Sequence, residues 1–460
     1  MRYSLKLLAA TVFLVSSPVE AVVTNNSSVT NNSSVAKSSV AKSVVNEFVK
    51  IAQVEGKKQR RNEALRLNEL GMQHFNKGEY PEALNNFEQA LVIVGEIGER
   101  ESEGATLNNI GRVYSSLGEY KKALNYFQQA FAIAKQVGNK PMEGGTLHNI
   151  GEVYRSLGEY KKALDYFQQS LAIDKQLSDK AGEGITLNNI GLVYDNLGEY
   201  KKALNYYQKA NRIHKQVGNK TEEGTTLNNI GNVYINLGEY LKALNYYQQS
   251  LAIHIQVDNK LMEGTTLNNI GSVYDNLEEY PKALDYFQQA NRIHKQVGNK
   301  LMEGTTLNNI GLVYNNLEEY PKALDYFQQA LTITKQVGNK AEEATTLNNI
   351  GALYNTINKY PEAEKNLFAA IKILESLRGG LTDDQKIKIF ETQAKTYRFL
   401  QTTLIAQNKT NAALEISERS RARALIELLS SKSNPFTQNY RNYRYQAKRR
   451  FSCTECLRYG

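Results

Sequence analysis

Apolar residues recur along this chain with two interleaved periods. Within short stretches they stand three or four residues apart, as in Leu107, Ile110 and Tyr114, or Ala123, Phe127 and Ala130. At about 100° per residue such positions share one stripe of an α-helix. The pattern then returns every forty residues, and Gly71, Gly111, Gly151, Gly191, Gly231, Gly271, Gly311 and Gly351 mark eight copies. Close behind each glycine stands an aromatic residue, Phe75 in the first copy and Tyr114 to Tyr354 in the others. Twelve residues after each glycine comes an alanine, from Ala83 to Ala363.

Each copy reads as two antiparallel helices. In the second copy, helix A covers about 101–116 and ends at "LGEY", where Gly118 can turn the chain with φ > 0. Helix B runs from about Tyr120 to Val137 and stops at Gly138-Asn139. Pro81, Pro281, Pro321 and Pro361 open helix B in four copies, where the first-turn N–H lacks a partner in any case. Glu278, Glu318 and Asn358 replace the turn glycine, so strained turns are expected there. Gly111 costs ~1 kcal/mol inside a helix. Close packing of helix B explains it, with Ala123 and Ala130 as expected small partners beside Leu124 and Phe127. One hairpin cannot bury its own apolar face, so the copies must stack around a continuous core.

Asparagine is the less expected repeated residue. The pair recurs as Asn108-Asn109, Asn188-Asn189, Asn228-Asn229, Asn268-Asn269, Asn308-Asn309 and Asn348-Asn349, with Asn68 and Asn149 as single members. At ~0.5 kcal/mol each, their helix penalty sums to roughly 7 kcal/mol, comparable to the stability of a domain. On a helical wheel the first asparagine lies roughly 110° from the apolar stripe and the second roughly 150°. The first is expected to hydrogen-bond a neighbouring repeat or a linker carbonyl. The second admits two readings: an amide that pairs with the backbone of an extended peptide, or a rung of a ladder between repeats. Nearby positions change freely between copies, as in Arg112, Glu152 and Asn232 after the glycine, or Arg155, Asp195 and Asp275 further on. The candidate ligand-binding set is therefore Asn109, Arg112, Asn149, Glu152, Arg155, Asn189, Asp195, Asn229, Asn232, Asn269, Asp275, Asn309 and Asn349.

The pattern Leu-x-x-Ile-Gly-x-x-Tyr, then Gly-x-Tyr-x-x-Ala, resembles the tetratricopeptide repeat over about residues 63–377. The forty-residue period and the "GNK" linker are similar to the longer-helix variety of kinesin light chains and LGN-type polarity adaptors. That resemblance implies an all-α, right-handed superhelical solenoid of antiparallel helix pairs. It also implies a concave groove lined by the A helices, in which asparagine holds bound peptides, and hence a protein- or peptide-binding scaffold. Residues 381–431 read as a degenerate capping pair, with stripes Phe390, Ala394, Tyr397, Leu400, Leu404 and Ala413, Leu414, Ile416, Ala424, Leu428. Its "ALEISERSRARALIELL" resembles the segment that joins such repeats to CHAT protease-like domains in bacterial chains. The alternative function is thus the sensor part of a caspase-like protease system whose catalytic domain is truncated or encoded separately.

Charge and termini refine this picture. The net charge is +9, of which the last 26 residues carry +5 and the first 21 carry +1. The body is therefore nearly balanced, and no nucleic-acid partner is expected. Residues 1–21 read as a signal peptide: Arg2 and Lys6 precede an apolar run from Leu7 to Val15, with a cut after Ala21. Export to the periplasm or beyond follows, with no transmembrane helix in the mature chain. Residues 22–45 are a Ser/Asn-rich linker expected to be disordered, 46–62 a leading helix, and 432–460 an irregular basic tail of foreign or out-of-frame character.

Reaction chemistry is not expected. Cys453 and Cys456 have the spacing of half a zinc site, without two further ligands. His214, His254 and His294 share one helix-B position, but repeats ~8–10 Å apart cannot bring them to one metal. They are expected to be solvated, as are the Glu-Tyr and Lys-Lys runs, while His74 and His148 stand alone. With no nucleophile–base constellation and no phosphate loop, neither an enzyme, a cofactor nor a metal site is anticipated; the oligomeric state is open.

Overall fold

The computed structural model of the chain describes residues 32–377 and 383–431. Among them are eighteen helices and no strand. α1 (Asn32–Lys77) and α2 (Tyr80–Ile97) come first, then α3 (Arg100–Ser116) with α4 (Tyr120–Val137) and α5 (Lys140–Ser156) with α6 (Tyr160–Gln176). α7 (Lys180–Asn196) pairs with α8 (Tyr200–Val217), α9 (Lys220–Asn236) with α10 (Tyr240–Gln256), and α11 (Lys260–Asn276) with α12 (Tyr280–Gln296). α13 (Lys300–Asn316) and α14 (Tyr320–Gln336), α15 (Lys340–Thr356) and α16 (Tyr360–Leu377), then α17 (Asp383–Ala406) and α18 (Thr410–Ser431) complete the order. The signal segment, residues 22–31, and the tail with Cys453 and Cys456 lie outside the described residues.

α1 begins inside the stretch expected to be disordered and continues unbroken through the leading helix and the first helix A. Nothing between Asn32 and Lys77 breaks it: there is no proline, and its only glycines are Gly56 and Gly71.

Local signals set the other boundaries. The asparagine of "GNK" caps helix A: Asn139 Oδ1 accepts from the Met142 N–H at 2.9 Å, and Asp179 does the same for Gly182 at 2.9 Å. The following lysine reaches forward one turn, as in Lys220–Glu223 at 2.7 Å. At the A-to-B turn Gly238 sits at φ 74°, and Glu278, Glu318 and Asn358 adopt the same left-handed conformation at 60°, 59° and 58°. These side chains carry roughly 1–2 kcal/mol of strain each.

The chain falls into two units, divided between Val113 and Tyr114. In the first, Ala64 and Leu67 of α1 pack on Ala90, Ile93 and Val94 of α2. In the second, one core motif recurs: Ala163, Phe167, Ile190 and Val193, then Ala203, Tyr207, Ile230 and Val233, and so on to Ala323, Phe327, Ile350 and Leu353. The helix-A glycine receives the flat face of the helix-B aromatic rather than the alanines. A Cβ on Gly271 would lie 2.7 Å from the Phe287 ring. Ala283 and Ala290 are buried on either side of that ring along α12.

α17 and α18 form a further hairpin. Tyr397, Leu400, Leu404, Ala413 and Ile416 join Ala363, Leu367 and Ile371 in one cluster. Leu414 does not join them and is 60% exposed. It stands about 100° round the helix from Ala413, on the outer side.

Candidate functional site

Both asparagines of the repeated pair belong to a ladder that ties successive A helices together. Asn229 donates Nδ2 to Asn188 Oδ1 at 3.2 Å, Asn269 to Asn228 at 3.1 Å, Asn309 to Asn268 at 3.3 Å and Asn349 to Asn308 at 3.0 Å. Thr226 and Thr306 donate to the same Asn188 and Asn268 oxygens at 3.1 Å. Thr396 of α17 donates to Asn348 at 2.9 Å, so the last hairpin closes the ladder. In the first unit Thr106 makes the equivalent contact to Asn68 Oδ1 at 3.2 Å. Each such bond contributes ~0.5–1.5 kcal/mol, enough to offset the helix penalty of the asparagines.

The two members of the pair differ in depth. Asn188, Asn228, Asn268, Asn308 and Asn348 are buried, deeper than the flank position on the wheel implies, because the next A helix covers them. Asn189, Asn229, Asn269, Asn309 and Asn349 remain half-exposed while tethered. The other candidate residues are half-exposed too, and most lean on a neighbour. Glu152 and Arg155 pair with each other at 2.7 Å. Asn232 Oδ1 accepts from the Tyr247 hydroxyl at 2.6 Å. Asp195 and Asp275 accept from Asn236 and Asn316 at 3.4 Å, and burial pushes the Asp275 carboxyl above its ordinary range. In the first unit Arg112 stacks 4.8 Å above the Phe75 ring, where burial lowers its pKa, and Asn109 is half-buried; Asn149, in the second unit, is half-buried too. The result is a polar stripe on each A helix whose side chains are held in place by their own repeat or the one before.

His214, His254 and His294 are not solvated. All three are fully buried, each laid against a glycine of its own hairpin. A Cβ on Gly184, Gly224 or Gly264 would approach the ring to 2.6, 2.7 and 2.7 Å. An imidazole is polar but flat, and a bare Cα provides room for it. Burial lowers the pKa of all three, while Glu223 raises His214, Glu263 raises His254 and Glu303 raises His294 by smaller amounts. Among the described residues no cluster of His, Cys, Asp or Glu is arranged to hold a metal ion.

The second lysine of each Lys-Lys run likewise carries more order than a solvated face, because it lies over a tyrosine stack. Tyr114 stacks on Tyr126, and the stack repeats as Tyr154–Tyr166, Tyr194–Tyr206, Tyr234–Tyr246, Tyr274–Tyr286 and Tyr314–Tyr326, each at 5.4 Å. A lysine covers the first ring of every pair, as Lys202 does Tyr194 at 5.0 Å. The twelve-residue separation of the two tyrosines was the available signal, since it links adjacent helices of one hairpin.

Residues 61–136, 143–216, 222–296 and 303–376 match the family described as Tetratricopeptide repeat. These segments take in more than half of the chain, which belongs to the tetratricopeptide repeat family. Among solved structures it is similar to the apo form of the quorum sensor NprR from B. thuringiensis, with 19% identity and a TM-score of 0.55 over 73% of this chain and 94% of that one. It is also similar to a signal transduction ATPase with a tetratricopeptide repeat sensor from Pyrococcus horikoshii, at 16% identity and a TM-score of 0.54 over 78% of this chain and 54% of that one. Aspartyl phosphate phosphatase F from Bacillus subtilis gives 13% identity and a TM-score of 0.50 over 79% and 94% of the two chains. No curated protein matches the chain. At these identities the likeness establishes the fold, an all-α solenoid of helical hairpins. No described helix is long and apolar enough to cross a membrane.

Proposed function

We propose that the chain is a binding scaffold for a protein or peptide, which it reads along the polar stripes of its A helices. The observation that carries this reading is the half-exposed second asparagine, fixed by its neighbour and repeated on consecutive A helices. A tethered carboxamide meets a backbone amide without first losing its own rotamer freedom, so binding is preorganised. Regular amides supply sequence-independent contacts to an extended backbone. The exchanged positions beside them, such as Asn232, Ser272 and Ala352, supply selectivity.

The test uses positions outside the ladder. The full chain is panned against a peptide library, and Ser272→Arg and Ala352→Arg are compared with the parent. Retention of selected peptides should fall by tenfold or more while the melting temperature stays within about 2 °C, as for surface changes elsewhere. Peptides retained equally by all three proteins would put binding elsewhere. The same proposal has the scaffold act after export; an N-terminus of the mature chain that begins at residue 22 tests that.

A further inference from the structure

The ladder departs from its pattern at one rung. Where other copies carry the first asparagine, the third carries His148. Its Nε2 lies 3.0 Å from Asn189 Nδ2, and its Nδ1 lies 3.3 Å from Thr186 Oγ1. Thr186 is buried and its hydroxyl lies 2.8 Å from the buried Asp174 carboxylate. These contacts orient one another. A carboxylate only accepts, so Thr186 donates its single proton to Asp174. Thr186 must then accept from His148, which places the imidazole proton on Nδ1. Nε2 is left with a lone pair, and Asn189 turns its NH₂ toward it.

We propose that protonation of His148 inverts the Asn189 carboxamide, making this one rung a proton-controlled element of the recognition stripe. An added proton on Nε2 faces the Asn189 NH₂ donor to donor. Thr186 and Asp174 hold the other side of the ring. A half-turn of the Asn189 amide relieves this conflict: Oδ1 then accepts a charge-assisted bond from Nε2–H, in exchange for the longer 3.3 Å bond it accepts from Asn188 Nδ2, and NH₂ takes the place that Oδ1 held. The shape of the stripe is unchanged, but its hydrogen-bond polarity at residue 189 is reversed. The other rungs have neutral amides for partners and do not respond. The charged groups that act on the imidazole are Glu152, which favours its proton, and Arg155, which opposes it, both on α5. From α6 it meets the edge of Phe167 and, through Thr186, Asp174; from α7 it meets Thr186 and Asn189, which do not titrate. Burial lowers the imidazole pKa, so the change falls on the acid side of its ordinary range.

The effect on ligand rests on the proposed peptide-binding function, whereas the inversion itself does not. Side-chain amide and imidazole resonances of the full chain, labelled on Asn and His, are followed from pH 7.5 downward in the parent and in His148→Asn. The Asn189 amide should shift along the His148 titration, stay put in His148→Asn, and have no counterpart at Asn229 or Asn269. An Asn189 amide that is constant while His148 titrates overturns the proposal, as does unfolding before His148 takes up its proton. Library-selected peptides measured at the two ends of the titration should change affinity about tenfold in the parent and not in His148→Asn, the effect of one reversed hydrogen bond. An inverting amide with no peptide bound at either pH leaves the switch standing and removes the scaffold reading. A bound peptide with an unmoved amide does the reverse.

Discussion

The two ends of each hairpin answer one packing demand with different rings. Near the A-to-B turn, a helix-A glycine accepts the face of a helix-B aromatic: Gly151 under Phe167, Gly191 under Tyr207, Gly231 under Tyr247, Gly271 under Phe287 and Gly311 under Phe327. At the open end, seven residues earlier in helix A, Gly184, Gly224 and Gly264 accept imidazoles instead. The first contact is nearly the same in every copy. The second changes along the array: Ala134, Asp174, three histidines, Thr334 and Leu374 occupy the same helix-B position. Close approach at the turn thus holds the hairpin angle constant, while the open end is adjusted copy by copy. In three consecutive copies that adjustment places an imidazole where the turn end has Tyr207, Tyr247 or Phe287, the two phenols being pushed further from neutral pH by burial.

The largest effect should come from the turn end. Phe287 is 1% exposed, and Phe287→Ala should cost ~3–5 kcal/mol in urea or thermal unfolding, since nothing nearby can fill the void over Gly271. A loss below ~1 kcal/mol would mean that the ring does not set the hairpin, and the contrast between the two ends would disappear.

Of the two ends, acid should act on the open one. The folded pKa of His214, His254 and His294 lies below the ordinary imidazole value of about 6.5. Above pH 6.5 both folded and unfolded states are neutral at these rings, and stability is complete. As pH falls through 6.5 the unfolded chain takes up protons that the folded chain resists, and stability is lost until the folded pKa is reached. Neither ring nitrogen of His254 or His294 has a hydrogen-bond partner, so a charge there is offset only by the smaller pull of Glu263 and Glu303. The variant H214T/H254T/H294T borrows the residue the chain itself uses at Thr334. Its melting temperature should fall less between pH 7 and pH 5 than that of the parent. Equal slopes would return the three histidines to the solvent.

What the sequence made legible follows the same division. Period, hairpin boundaries and turn were readable because eight copies repeat Gly71 to Gly351 and the aromatics behind them, so local exceptions such as Glu278 do not obscure the frame. Bonding of the first asparagine to a neighbour was readable from its flank position. Burial of His214, His254 and His294 was not, because polarity alone suggests water for an imidazole. The informative sign was replacement by Ala134 and Leu374, which are apolar, although Asp174 at the same position obscures it. The Asp174–Thr186–His148 chain was hidden for a different reason: it occurs once, and a periodic reading averages over single departures.

A smaller effect isolates shape from charge. Gly264→Ala places a methyl 2.7 Å from the His294 ring, and overpacking of this kind costs ~1–3 kcal/mol, against ~1 kcal/mol gained in helix propensity. Net destabilisation at pH 7.5, where the imidazole is neutral, would show that the bare Cα is needed by the ring itself. A stabilised Gly264→Ala would mean that the imidazole moves aside at no cost.

Gly304→Ala is the matching control and the smallest change. Here the opposite residue is Thr334, and a Cβ would lie 3.3 Å from Ile333 Cγ2 and 3.4 Å from Thr334 Cγ2. Side-chain methyls at that range yield by a few tenths of an ångström, so the propensity gain of ~1 kcal/mol is nearly all retained. Unfolding of Gly304→Ala should therefore be neutral to stabilised by up to ~1 kcal/mol. The next copy already has Ala344 at this position, which is the same substitution made by the chain. If Gly304→Ala destabilises as much as Gly264→Ala, the glycines are required by the helix pair rather than by the imidazoles. The open end would then be as fixed as the turn.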